Sequence, residues 1–159
     1  MRRYLALISI AVLFSTCLYA QDSIYVVPLI KDTKTQYDVD IEYSKANISG
    51  ICIIKTDSLG TKGVVMNEFG IKLMDFIVSP DRQKVELADV SDFIDKWYIR
   101  KVITSDLTVL FSTWKSNVGV EKDHRLLTID NDGNIVLKNM KYNISYNFKL
   151  NEDNDETTE

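Results

Sequence analysis

Tyr37-Asp38-Val39-Asp40-Ile41-Glu42-Tyr43 sets four apolar residues against three acids in strict alternation. Side chains of an extended chain point to opposite faces in turn, so this is the signature of a strand with one face in a core and the other in water. The reading buries Ile41 and exposes Asp40. A chain committed to such a strand must supply partners for both of its edges, and the following sequence does so. Ile48 to Lys55, Gly63 to Asn67, Ile71 to Ser79 and Val85 to Ala88 read as strands. They are separated by short segments of turn residues: Ser44 to Asn47, Asp57-Ser58-Leu59-Gly60, Glu68-Phe69-Gly70 and Pro80-Asp81-Arg82. Short connections favour an antiparallel meander over parallel units joined by helices. Three further strands, 124–130, 135–139 and 142–150, complete a set of about eight. Asn131-Asp132-Gly133-Asn134 between the first two predicts a type I′ hairpin.

Helical spacing dominates only one stretch, which begins near Ser91, with Asp89 or Ser91 as candidate cap. Phe93, Ile94, Trp97 and Tyr98 fall on one side of a helical wheel. Ile99, Val102, Ile103, Leu107, Leu110, Phe111 and Trp114 fall on nearly the opposite side. One straight helix cannot bury both stripes against one sheet. The pattern therefore predicts two helical pieces, 91–97 and 99–113, bent near Tyr98. The expected fold is mainly β (α+β): a curved antiparallel sheet of about eight strands, half-barrel-like, with one bent helical segment on its concave face.

The first twenty residues carry a different message. Met1-Arg2-Arg3, an apolar run from Tyr4 to Phe14, and a small Ala20 before Gln21 have the three parts of a secretory signal. The apolar run is shorter than the roughly 20 residues a bilayer span needs. The reading favours cleavage after Ala20 and a periplasmic product. In the other route Cys17, within Leu13-Phe14-Ser15-Thr16-Cys17, becomes a lipidated terminus that anchors the protein to the outer membrane. Residues 21–150 then form one β-rich domain. Residues 151–159, acidic and without apolar side chains, are expected to be a disordered tail. The formal net charge of −4 is concentrated there, and the body has no cationic cluster, so no nucleic-acid partner is expected. After cleavage Cys52 is the one cysteine, and stability must come from packing.

Candidate chemistry is sparse. Asp38, Asp40 and Glu42 share a strand face, but same-face neighbours lie about 6.6 Å apart and read as a solvated surface. Asp130, Asp132 and Asn134 begin like a calcium loop, yet Ile135 and Lys141 occupy the positions where that loop needs Gly and Glu. His124 sits among charged residues and reads as exposed. Cys52, in an isoleucine-rich strand, reads as a small buried hydrophobe. Asp106 is the exception, falling between Val102, Ile103 and Leu110 inside the apolar stripe. There it must either reach a partner or face a ligand cavity. No set of ionisable residues converges as an enzyme requires, so no catalytic residue, metal or cofactor is expected.

A leader or lipobox, an antiparallel meander, one helical segment and a closing hairpin resemble the bacterial lipoprotein carriers. That superfamily comprises the periplasmic carrier and the outer-membrane receptor. The stretch from Ser49 to Phe111, with Ser49-Gly50 and Asn67-Glu68-Phe69-Gly70-Ile71, also resembles an uncharacterised group of Gram-negative exported proteins. The resemblance implies a non-enzymatic periplasmic binding or carrier protein that holds an acyl chain or other apolar group inside a curved sheet. Tyr37, Val39, Ile41, Tyr43, Ile103, Asp106, Leu107, Leu110 and Trp114 are the candidate ligand-lining residues. The alternative is a solid-core interaction module, docked to an exported protein or held at the membrane surface.

Overall fold

The computed structural model describes residues 25–44, 46–92, 94–119 and 121–151. The leader, Cys17 and the acidic tail beyond Asn151 lie outside them, as does Phe93. Among the described residues nine strands form one antiparallel sheet: β1 (Thr33–Tyr43), β2 (Ala46–Asp57), β3 (Gly60–Asn67), β4 (Lys72–Val78), β5 (Val85–Val90), β6 (Glu121–Lys122), β7 (Arg125–Ile129), β8 (Ile135–Asn139) and β9 (Ile144–Leu150). A single α-helix among the described residues, α1 (Trp97–Ser112), joins β5 to the second group. The spatial order is β5-β4-β3-β2-β1-β9-β8-β7-β6. The chain thus starts at the middle of the sheet and walks to one edge. It then crosses by way of α1 and walks back from the other edge to the middle. The strand beyond the expected set of about eight is β6, whose two residues are too few for any periodicity to reveal.

Alternation fixes which face is buried. Tyr37 and Val39 of β1 stand beside Cys52 and Ile54 of β2, Phe148 and Tyr146 of β9, and Leu137 of β8. All are 5% exposed or less. Leu107, Leu110 and Phe111 of α1 cover this face, and the rings of Phe76 and Phe111 lie 5.5 Å apart. A glycine makes room for that contact. A Cβ on Gly63 would fall 2.0 Å from Cζ of Phe76, so only a residue without a side chain lets the ring lie across β3. Register shifts between Val65 and Met66 and between Asp75 and Phe76 mark bulges on the β2–β5 side, where extra twist is added.

Four local expectations need correction. The helical segment is not bent. Ahead of it Ser91 O accepts from the amides of Ile94 and Asp95 in a turn, and the helix begins at Trp97. This solves the two-stripe problem differently: Ile94 packs against the core from a turn, and the later stripe alone sets the helix face. The cap is Lys96, with no side-chain hydrogen bond, and not Asp89 or Ser91. The Asn131–Asn134 hairpin is not type I′, which needs positive φ at both central residues. Here Gly133 alone of the loop has one (φ 83°), and the Asp130 carboxylate accepts from the amides of Asp132 and Asn134. Ile41 is half-buried, because the β1 face opens toward Tyr43, which is 56% exposed.

Candidate functional site

Tyr25 to Val27 were not read as part of the core, yet they pin the end of α1. Val26 N donates to Thr113 O at 3.0 Å, Tyr25 stacks on Trp114 at 4.2 Å, and Arg82 lies over the Tyr25 ring. Arg82 Nη1 also donates to Val27 O. Beside this junction, α1, β6 and β7 enclose a cavity of about 320 Å³. Val109, Leu127 and Trp114 give it apolar walls. Lys122, Arg125 and Ser112 add polar groups.

Arg125 ties this cavity to the chemistry beneath it. Its Nε donates to Asp106 Oδ1 at 2.6 Å and its Nη1 donates to Asp123 O. Asp106 is fully buried on α1 and also accepts from Asn139 Nδ2 at 2.8 Å and from Tyr146 hydroxyl at 2.9 Å. Both carboxylate oxygens are therefore engaged, by one cation and two neutral donors, as a buried charge requires. Burial, and then the adjacent Asp106 carboxylate, push the Tyr146 phenol well above its ordinary range. The three donors hold this carboxylate in place between α1 and the sheet. It orients Arg125 at the cavity wall.

Of the nine candidate lining residues, Tyr37, Val39, Leu107 and Leu110 meet in the filled core, 1–3% exposed. Ile41 and Ile103 are half-buried around that core. Asp106 faces Arg125, Asn139 and Tyr146. Tyr43 lies exposed away from them, and Trp114 lines the cavity at the helix end. Arg125, Asn139 and Tyr146 were missed as a set, although each carried a signal. Alternation along 125–129, 135–139 and 144–150 puts all three on the inward face. Two strong polar groups at inward positions of adjacent strands call for a buried partner, and Asp106 was the unexplained acid.

Elsewhere the expected roles are ordinary. Burial pushes the Cys52 thiol up to about 12, and His124 is exposed in a turn. Asp40 accepts from Ser49 Oγ. Ser49-Gly50 and Asn67-Glu68-Phe69-Gly70-Ile71, noted separately in the sequence, meet: Glu68 N donates to Ser49 O. A Cβ on Gly50 would fall 2.0 Å from Met66 O. Among the described residues, no helix is long and apolar enough to cross a membrane. Compared with known proteins, the chain matches no family model and no curated sequence.

Proposed function

We propose that this chain is a non-enzymatic binding protein of the cell envelope that holds an apolar or acyl group. The observation that carries the reading is the cavity of about 320 Å³ at the end of α1, with Trp114, Val109 and Leu127 as its apolar walls. Each buried CH₂ contributes about 0.8 kcal/mol, so a chain of several carbons binds without a catalytic or metal motif. The ligand sits at this open end and not under the middle of α1, where Tyr37, Val39, Leu107 and Leu110 occupy the space themselves.

The half-barrel form of the fold belongs to the same proposal. It is supported by the way α1 meets both halves of the sheet. Thr108 Oγ1 accepts from Val85 N of β5, and Asp106 accepts from residues of β7, β8 and β9. Two residues apart on a helix is about 200° around its axis, so the sheet reaches opposite flanks of α1. Export rests on the leader alone, and the periplasm is the proposed destination, with the outer membrane in its place if Cys17 is lipidated.

The chain contains two tryptophans, Trp97 and Trp114. Trp97→Phe leaves Trp114 as a single reporter, and titration with a fatty-acyl probe should shift its emission saturably at micromolar concentration. A flat titration removes the binding reading in favour of the interaction module. That second reading has its own observation. The Asn67 side chain accepts from the amides of Phe69 and Ile71 and holds a tight loop with Phe69 78% exposed.

A further inference from the structure

The sheet face turned away from α1 carries a feature that the cavity at the helix end does not explain. Lys55 of β2 and Lys62 of β3 stand directly opposite each other in the register. Both are exposed, and among the described residues neither has an anionic partner. Like charges directly opposite on adjacent strands oppose pairing, so something must offset the repulsion or the site tolerates it. Immediately beside the pair, Ile53, Val64 and Ile77 form the wall of an open cavity of about 370 Å³. Ile77 is 41% exposed, and Ile53 and Val64 are half-buried. Asp75 lines it opposite Val64, one same-face step from Lys62, and is ion-paired with Lys72, at 2.9 Å, which also holds Asp89.

We propose that this groove is a second binding site, for a small anionic amphiphile: one acyl chain ending in a carboxylate. The carboxylate sits between the Lys55 and Lys62 ammonium groups. The chain lies over Ile53, Val64 and Ile77. Asp75 is held by Lys72, which leaves Lys55 and Lys62 as the cations of this groove without an anionic partner among the described residues. From Lys55 to Ile51 the strand advances roughly 14 Å, which sets the length of chain the face can cover. Charge complementarity selects this occupant over a neutral lipid, which would leave the lysine repulsion in place. The apolar wall selects it over a bare inorganic anion.

The test uses the purified exported chain with sodium dodecanoate below its micelle concentration, followed by calorimetry and by methyl NMR of Ile53, Val64 and Ile77. Saturable heat and shifts at those methyls are expected. Each exposed ion pair contributes up to about fivefold in affinity, so the double variant Lys55→Gln with Lys62→Gln should bind about tenfold more weakly. That variant should melt no lower than the parent, because it removes a repulsion. Dodecanol should match the double variant in affinity. The proposal is overturned if the double variant binds dodecanoate as tightly as the parent, or if inorganic phosphate alone reproduces the shifts and affinity. Shifts confined to the surroundings of Trp114 would also overturn it, while leaving the cavity at the helix end standing.

Discussion

On its β5 side, α1 is fastened through the backbone of an edge strand. Val85 N donates to Thr108 Oγ1 and Leu87 O accepts from Arg100 Nη2. On its β7–β9 side it is fastened through one buried charge, Asp106, shared by Arg125, Asn139 and Tyr146. The first arrangement satisfies strand groups that would otherwise invite another chain to pair, and cutting it leaves only uncharged backbone groups without a partner. In the second, losing a partner leaves an ionised group enclosed in an apolar setting. The two flanks differ less in how firmly they hold than in what remains when they are cut.

The largest effect should follow from Arg125→Met, which strands the Asp106 carboxylate and should cost about 3–5 kcal/mol in urea unfolding. A loss below about 1 kcal/mol would show that the flanks are equivalent. Raising the pH should come next. Cys52 and Tyr37 are pushed up to about 12 from ordinary values of 9.0 and 10.0, and Tyr146 is also raised. In all three burial is the first cause, so the folded chain holds these protons more tightly than the unfolded one. Their contribution is complete below about pH 9 and is lost as pH rises toward about 12, at up to about 1.4 kcal/mol per pH unit for each group. A melting temperature flat from pH 8 to 11 would contradict this burial.

Tyr146→Phe isolates the neutral part of the charged flank. It should cost about 1–3 kcal/mol at neutral pH by leaving Asp106 Oδ2 without its donor. It should also make the alkaline loss shallower, which a purely volumetric change would not. Thr108→Val should have the smallest effect, about 1 kcal/mol, since the Val85 amide it leaves without a partner is uncharged. If it equals Arg125→Met, the distinction between the flanks fails.

Much of this was legible before the structure, and the rest was hidden for identifiable reasons. Strands such as 135–139, which coincides with β8, announce themselves because one face is apolar and the turns are short. The helix start was misplaced because Ile94 obeys helical spacing while packing from a turn. Two residues of β6 leave no period to detect, and Tyr25 to Val27 are fixed by contacts with Trp114 and Arg82, far along the chain. Asp106 was visible as an anomaly in an apolar stripe. Its partners were not, because register between β7, β8 and β9 decides that Arg125, Asn139 and Tyr146 lie beneath one carboxylate.

The order of strands has a consequence for how the molecule is made. β1 lies at the centre of the sheet, but only one of its neighbours, β2, comes next in the chain. The other is β9, the last strand, and Asn151 Nδ2 reaches Asp38 Oδ1 across 113 residues of sequence. The meander from β1 to β5 can assemble from contacts between consecutive strands, whereas the central seam must wait for the final residues to arrive. Closing so long a loop costs more entropy than pairing consecutive strands, and such non-local pairing forms slowly. Until then β1 presents an open edge seven residues long in its future register, from Tyr37 to Tyr43. The outward acids Asp38, Asp40 and Glu42, which looked like mere solvated surface, are then what keeps two half-made copies from joining along that edge.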